Sequence, residues 1–186
     1  MRHIAFSLLL ACNACALTAA AAPLELARFA SQRDNGNEQL ERKSQSVLTY
    51  LWIDVYAAAF YAPPAISARQ AVAQMRDQRL ELYYLHAIDR RDVIKAANTT
   101  LQRQQEPARL ARLQNDVQRL HTSLQNIRVG DRYALDYRNG RGLDLERNGQ
   151  VIFSSANPEL ATAYLAIWLG PDGLSPTLRE ALLGPP

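Results

Sequence analysis

The side chains best able to do chemistry in this 186-residue sequence lie between Leu48 and Tyr56. Side chains alternate along an extended strand, so Leu48, Tyr50, Trp52, Asp54 and Tyr56 share one face. A carboxylate among those aromatics has two chemical uses. Asp54 could be a base whose pKa is raised by burial, or it could orient a tyrosine hydroxyl. The plainer reading is an ion pair with one of the many arginines at a strand end. His86 and His121 are the only histidines beyond His3, and neither has a second His or Cys at ligand spacing. No metal site or cofactor is therefore expected. No G-x-S-x-G elbow supports a Ser-His-Asp triad. Gly140-Arg141-Gly142 lies between strand patterns and not ahead of a helix, which makes it a turn and not a phosphate loop. Tyr83, Tyr84, Tyr164 and Trp168 extend the aromatic set. Core packing explains most of it. Yet buried tyrosine hydroxyls need partners, and a cleft holding several suits a ligand with an apolar body and a polar end.

The elements that must position these residues follow from periodicity. Residues 47–62 are rich in aromatic and β-branched side chains and stop at Pro63-Pro64, which predicts a strand, or two with a break. Both of its faces look buried, as in a central strand. Ser67 and Gln70 have capping-box spacing ahead of a short helix striped by Ala68, Ala71, Val72 and Met75. Residues 79–85 alternate as a strand. Asp89 is placed to cap a helix carrying Ile94, Ala97 and Leu101, and Pro107 opens a long helix striped from Leu110 to Ile127. Residues 129–154 read as a meander with hairpin turns at Asn139-Gly140 and Asn148-Gly149. Asn157-Pro158 starts a helix that ends at Gly170, and Ser175-Pro176 starts a last one that stops at Gly184. An arm or strand is expected near Leu24–Phe29, then a turn at Asp34-Asn35-Gly36. Meandering strands with helices massed between them give an α+β fold, a large antiparallel sheet with helices packed on one face.

The N-terminus has the form of an export signal. Met1-Arg2-His3 is basic, residues 4–17 are mostly apolar, and Ala19 to Ala22 are small. Cleavage is expected after Ala21, leaving one domain, 22–186, in the periplasm. The apolar run is shorter than the roughly 20 residues of a membrane span, so no transmembrane segment remains in the mature chain. Lipoprotein processing at Cys12 is a variant, since Leu9-Leu10-Ala11-Cys12 loosely resembles a lipobox. Both cysteines, Cys12 and Cys15, lie in the signal, so the mature chain has no disulfide or thiolate. Losing Arg2 takes the basic count from 21 to 20, against 18 acidic residues. The charges alternate, and this argues against nucleic acid as a partner.

The ordered set Tyr50-Leu51-Trp52-Ile53-Asp54-Val55-Tyr56 through Pro63, Gly130-Asp131, Tyr137, Gly140, Gly142, Asn148-Gly149, Ile167-Trp168-Leu169-Gly170 and Leu182-Leu183-Gly184 resembles the bacterial secreted branch of the chalcone-isomerase-like family. The resemblance implies an open-faced β-sandwich with a cleft between sheet and helices. Members of the family are isomerases, fatty-acid-binding proteins or non-catalytic relatives. In the isomerases an arginine holds the substrate anion and polarises the carbonyl. Here that position falls on Leu48 or Thr49; Arg42 and Lys43 lie nearby but out of step. The family's strand threonine falls on Tyr56 and its helix Ser/Thr on Ile167, and only Asn98 matches a polar site position. The resemblance therefore implies a non-catalytic protein that binds a small apolar or amphipathic ligand such as a fatty acid. Its expected cleft residues are Leu48, Tyr50, Trp52, Asp54, Tyr56, Asn98 and Ile167. The alternatives are an isomerase- or lyase-type enzyme using Asp54 and Tyr56, or a structural, partner-binding protein whose cleft is filled by its own side chains.

The export signal makes a direct prediction. Intact-mass measurement of the exported protein should give a chain that begins near Ala22 and has no free thiol. A product retaining Cys12 with an attached lipid would establish the lipoprotein variant instead.

Overall fold

The computed structural model describes residues 16–184, with side chains from residue 22. Seven strands form one antiparallel sheet in sequence order: β1 (Gln32–Asp34), β2 (Gln39–Tyr50), β3 (Ile53–Ala62), β4 (Gln78–Tyr84), β5 (Arg132–Arg138), β6 (Gly142–Arg147) and β7 (Gln150–Ser155). Helix α1 (Ala16–Ala27) precedes the sheet. α2 (Ala68–Ala73) links β3 to β4, and α3 (Arg90–Gln104) and α4 (Pro107–Ser123) link β4 to β5. α5 (Pro158–Leu169) and α6 (Pro176–Leu183) follow β7. This is the expected α+β architecture.

The two faces of the sheet differ in chemistry. On the inner face Tyr56, Ala58 and Phe60 of β3 lie beside Leu80, Leu82 and Tyr84 of β4 and continue into Tyr133 and Leu135 of β5. Helices α2 to α6 cover this face. α5 is apolar nearly all round and runs through the core, as its buried Leu160, Ala161, Tyr164, Leu165 and Ile167 show. On the outer face Ala57, Ala59 and Tyr61 pack with Leu40, Ala27 and Phe29. Helix α1 therefore covers part of the second face. The segment expected as an arm or strand near Leu24–Phe29 is helical as far as Ala27, and helices do not pack on one face alone. The expected export signal, residues 1–21, lies outside the described residues as far as residue 15.

Beside that small apolar cluster the outer face is ionic. Glu81 is fully buried, and its carboxylate accepts from Arg33 of β1 at 2.6 and 3.1 Å, from Arg79 at 2.9 Å and from Arg132 of β5 at 3.1 Å. Arg79 also makes a two-pronged pair with Glu146 of β6. Arg132 reaches the Ala27 carbonyl at the end of α1 and stacks on Phe29 and Tyr83. Arg42, on this face opposite Tyr61, bonds the Phe29 carbonyl.

Local signals in the sequence act as expected at most element ends. Ser67 and Gln70 form the reciprocal capping box of α2. Asn157 caps α5 and Ser175 caps α6. Asp89 occupies the cap position of α3 without a side-chain bond; the Asn126 side chain takes the Arg90 N–H instead. α4 stops at Ser123, short of the expected Ile127, which bridges to Ile88. Gly170 ends α5 with φ −86°, so no left-handed residue is involved, and a Cβ there would sit 2.9 Å from Ala166.

The expected long strand is a hairpin. Leu51 and Trp52 adopt φ 46° and 69° and reverse the chain between β2 and β3. That is the geometry of a two-residue primed turn, which asparagine and glycine adopt far more readily than leucine and tryptophan. Both side chains project into solvent, Trp52 with 98% of its surface exposed. The other hairpins split. Asn148 (φ 50°) and Gly149 (φ 80°) form the expected turn, and the Asn148 side chain accepts from Arg132 N–H and donates to Asp131. Asn139 is not left-handed. It opens a three-residue loop in which Gly140 carries the positive φ, and its own N–H donates to Asp77.

These conformations rank four substitutions. Asn148→Ala should destabilise by about 1–2 kcal/mol, since it loses both tolerance of φ > 0 and two hydrogen bonds. Asn139→Ala should stay within about 0.5 kcal/mol. Leu51→Asn with Trp52→Gly should stabilise by about 1–2 kcal/mol. Urea midpoints would check all of these, and equal losses at the two asparagines would contradict the turn assignment.

Candidate functional site

At the end of the sheet bearing the β2–β3 hairpin, a cavity of ≈ 430 Å³ opens between the inner face and helices α3 and α5. Leu48 and Tyr50 of β2, Val55 and Tyr56 of β3, and Tyr84 of β4 supply the sheet side. Val93, Ala96 and Ala97 of α3 form one wall, and Tyr164, Ile167 and Trp168 of α5 form another. Leu174, Ser175 and Pro176 lie at its edge, just ahead of α6. Ala96 and Ala97 carry only a methyl group each and so take up little of the space. A smaller void of ≈ 30 Å³ lined by Leu82, Leu124 and Tyr133 shares Tyr84, Tyr164 and Trp168 with the cavity.

The expected cleft residues divide. Leu48, Tyr50, Tyr56 and Ile167 line the cavity together. Trp52 does not, because the turn at Leu51-Trp52 breaks the alternation that placed it beside Tyr50. Asp54 does not line it either. It pairs across the hairpin with Thr49, whose hydroxyl donates to its carboxylate at 2.6 Å beside a register shift. Asn98 belongs to another place. On α3 the core-facing positions are Ala97, Thr100 and Leu101, so Asn98 turns outward into an open groove between α3 and α4. That groove is wider, ≈ 640 Å³, but it is a surface furrow edged by Gln102, Gln114 and Gln118. It is more open and more polar than the cavity, and sites that bury most of a ligand are enclosed and mostly apolar. Alternation in the sequence missed Tyr84, Tyr164 and Trp168 as lining residues, although the aromatic set contained all three.

The polar groups of the cavity are mostly phenols. Trp168 Nε1 donates to the Tyr56 hydroxyl at 3.0 Å. The Tyr56 and Tyr84 rings meet edge to face with centroids 5.4 Å apart, and Trp168 lies against Tyr164 at 6.3 Å. Burial pushes the Tyr56 hydroxyl well above the ordinary tyrosine range, against a smaller opposing effect of the Trp168 bond. Burial does the same to Tyr164 and Tyr84, and the phenols of Tyr56, Tyr133 and Tyr164 push Tyr84 further. These hydroxyls stay protonated at neutral pH and act as hydrogen-bond donors. Among the lining residues no Arg, Lys or His occurs, and the one charged group is Asp92, exposed in the first turn of α3. Arg42 and Lys43 do not line the cavity; Lys43 bonds the Pro64 carbonyl.

Glu81 aside, two of the buried titratable groups outside the cavity have pKa values shifted into the range from about 4 to 6. His121 of α4 packs against Tyr164, and burial aided by the nearby Arg90 lowers its pKa to about 4. Asp136 of β5 lies on the ionic outer face, and burial raises its pKa to about 6 despite Arg79.

Comparisons with known proteins agree with this geometry. The family model described as chalcone isomerase-like matches residues 22–184. Among solved structures, the crystal structure of an Arabidopsis thaliana fatty-acid binding protein matches with a TM-score of 0.61 and 15% identity, over 83% of this chain and 90% of that one. At that identity the likeness is one of fold. No curated protein matches the chain.

His121 and Asp136 act oppositely on stability. Between about pH 6.5 and 4 the unfolded chain protonates His121 and the folded one does not, so stability falls as the pH falls. Between about pH 6 and 4 folded Asp136 is protonated and unfolded Asp136 is not, so this group makes stability rise as the pH falls. Urea unfolding across this window should show a flatter acid loss for His121→Leu and a steeper one for Asp136→Asn. Parallel curves for both variants and the parent would refute the assignment.

Proposed function

This chain belongs to the chalcone isomerase-like family, and we propose that it binds a small apolar or amphipathic ligand, such as a fatty acid, in the cavity between sheet and helices, without catalysing a reaction. The cavity itself carries this reading. Its volume is within the ~300–1,000 Å³ of small-molecule sites, and its walls are aliphatic and aromatic with a few hydroxyls. The likeness in fold to a fatty-acid binding protein supports the ligand class.

The non-catalytic part rests on the lining. Closing a flavanone ring needs a cation to hold a phenolate and polarise a carbonyl, the largest contribution to that mechanism. The family's arginine position falls on Leu48 or Thr49, and both line a cavity whose lining includes no guanidinium. Asp54, the base of the competing enzyme reading, is not among the lining residues, and its carboxylate is engaged by the Thr49 hydroxyl. A filled cleft, the third reading, would leave no such volume.

The periplasm is the proposed location. The N-terminal pattern of charge, apolar run and small residues supports it, and the family match begins at Ala22, next to the expected cut. No helix among the described residues is long and apolar enough to cross a membrane.

A fluorescent fatty acid at about pH 5, where its carboxyl is partly protonated, or its methyl ester should bind the purified protein and gain intensity. Leu48→Trp should fill the cavity and weaken that binding by about tenfold or more, while Tyr56→Phe should weaken it only a few-fold. Chalcone added to the protein should cyclise no faster than in buffer. Turnover clearly above that rate would refute the non-catalytic reading, and binding unmoved by Leu48→Trp would place the ligand elsewhere.

A further inference from the structure

Tyr84 and Tyr164 are each more than nine-tenths buried, both line the cavity, and neither hydroxyl has a hydrogen-bond partner among the described residues. The Tyr56 hydroxyl accepts from Trp168, which leaves its own proton to donate. Neither the Tyr84 nor the Tyr164 hydroxyl oxygen is sealed in the core; both belong to residues that line the cavity, where they are open to a group that the protein does not supply. All three phenols come from rigid elements, β3, β4 and α5, held by edge-to-face and tilted ring contacts. What they offer is a set of neutral O–H donors in an apolar chamber.

The charge pattern decides what they can receive. A deprotonated carboxylate moved out of water needs an opposite charge or several strong donors to recover its hydration. The cavity lining contains no cation, and its only charged residue, Asp92, would repel an anion. The nearest cations stay outside the lining: Arg90 of α3 spends its guanidinium on the His121 carbonyl, and Arg91 and Lys95 flank Asp92 and Ala96 without lining the cavity. Asp54 lies behind Thr49, and His121, against Tyr164, is held neutral by burial.

We infer that the ligand presents an uncharged hydrogen-bond acceptor, an ester, ketone or alcohol oxygen, to Tyr84, Tyr164 and Tyr56, and that a free fatty acid enters only in its protonated form. The inference rests on the ligand-binding reading above and narrows it. An apolar chain or ring fills the space along Leu48, Val93 and Ile167, and its neutral oxygen accepts from the phenols. The Arg-rich outer face plays no part, because it lies across the sheet.

The test is displacement of Nile red by methyl palmitate, palmitate and hexadecane. At about pH 8 methyl palmitate should displace the dye at roughly tenfold lower concentration than palmitate, the gap expected of an anion without a counter-charge. As the pH falls toward the carboxyl range, to about 5, palmitate should approach the ester, while ester and hexadecane stay level. The double variant Tyr84→Phe/Tyr164→Phe should weaken methyl palmitate by about tenfold and leave hexadecane unchanged. Retained hexadecane binding shows that the variant is folded, and the pH comparison on the parent protein does not depend on it. Palmitate equal to the ester at about pH 8 would overturn the inference. So would an ester affinity untouched by loss of both hydroxyls. Failure of Nile red and of all three ligands to bind would instead overturn the ligand-binding reading beneath it.

Discussion

A carboxylate with no access to water sits on the middle strand of the sheet, and the fold is arranged to keep it charged. Burial alone would push Glu81 toward its neutral form. The bonds and charges of Arg33 and Arg79 reverse that and hold its pKa below the ordinary range. Those arginines and Arg132 come from β1, β4 and β5, so one buried anion ties together strands 48 and 51 residues apart in sequence. Removing one partner of such a cluster typically costs about 3–5 kcal/mol, because an unpaired charge is left inside. Arg132 extends the tie to the end of α1 through the Ala27 carbonyl and its stacking on Phe29. The cover on this face is thus fixed by charge and stacking as much as by apolar area.

Segregating charge to the outer face frees the inner face to be almost wholly apolar. Along β4 the alternation is plain: Arg79, Glu81 and Tyr83 point one way, and Leu80, Leu82 and Tyr84 the other. A slip of one residue would exchange the two sets and bury unpaired ions under α5. The ionic cluster therefore also sets register, and register decides that Tyr84 and Tyr56 face the helices. Their position at the end of the sheet, beside two alanines of α3, turns a packed core into a chamber.

Much of this was legible in the sequence because it is local. Capping residues, the Asn148-Gly149 turn, the apolar stripes of α3 and α4 and the alternation of β4 each declare themselves within a few residues. The failures are where long-range pairing overrides local signals. Leu51-Trp52 carries no turn chemistry, yet the hairpin reverses there because pairing of β2 with β3 buries Ala57, Ala58, Ala59 and Phe60 and leaves those two residues to make the turn at the strained φ they adopt. Trp52 was consequently expected in the cleft and stands in solvent. Asn98 was aligned by resemblance to a site position, but the helical period turns it away from the core. Residues 79–85 were legible only as an alternating strand, and nothing local shows the burial of Glu81, since Arg33 and Arg132 lie on distant strands. Tyr164 and Trp168 could be read as core residues on one stripe of α5, but nothing local shows that this stripe meets a gap.

The same distribution of charge bears on chemistry. Arginine is plentiful in this chain, and in the site of the family's isomerases an arginine supplies the electrostatic stabilisation. Here Arg33, Arg79 and Arg132 are committed to Glu81, Arg42 to the Phe29 carbonyl and Arg138 to Asp144, and none of the five lines the cavity. What remains facing the cavity are phenols that burial makes harder to ionise. A phenol in that state is a poor acid and no base, but it is a good donor, and in a medium of low polarity a donor without a partner attracts any neutral acceptor strongly. The inner face is thus suited to holding a polar atom in an apolar chamber, and poorly suited to stabilising charge as it develops during a reaction.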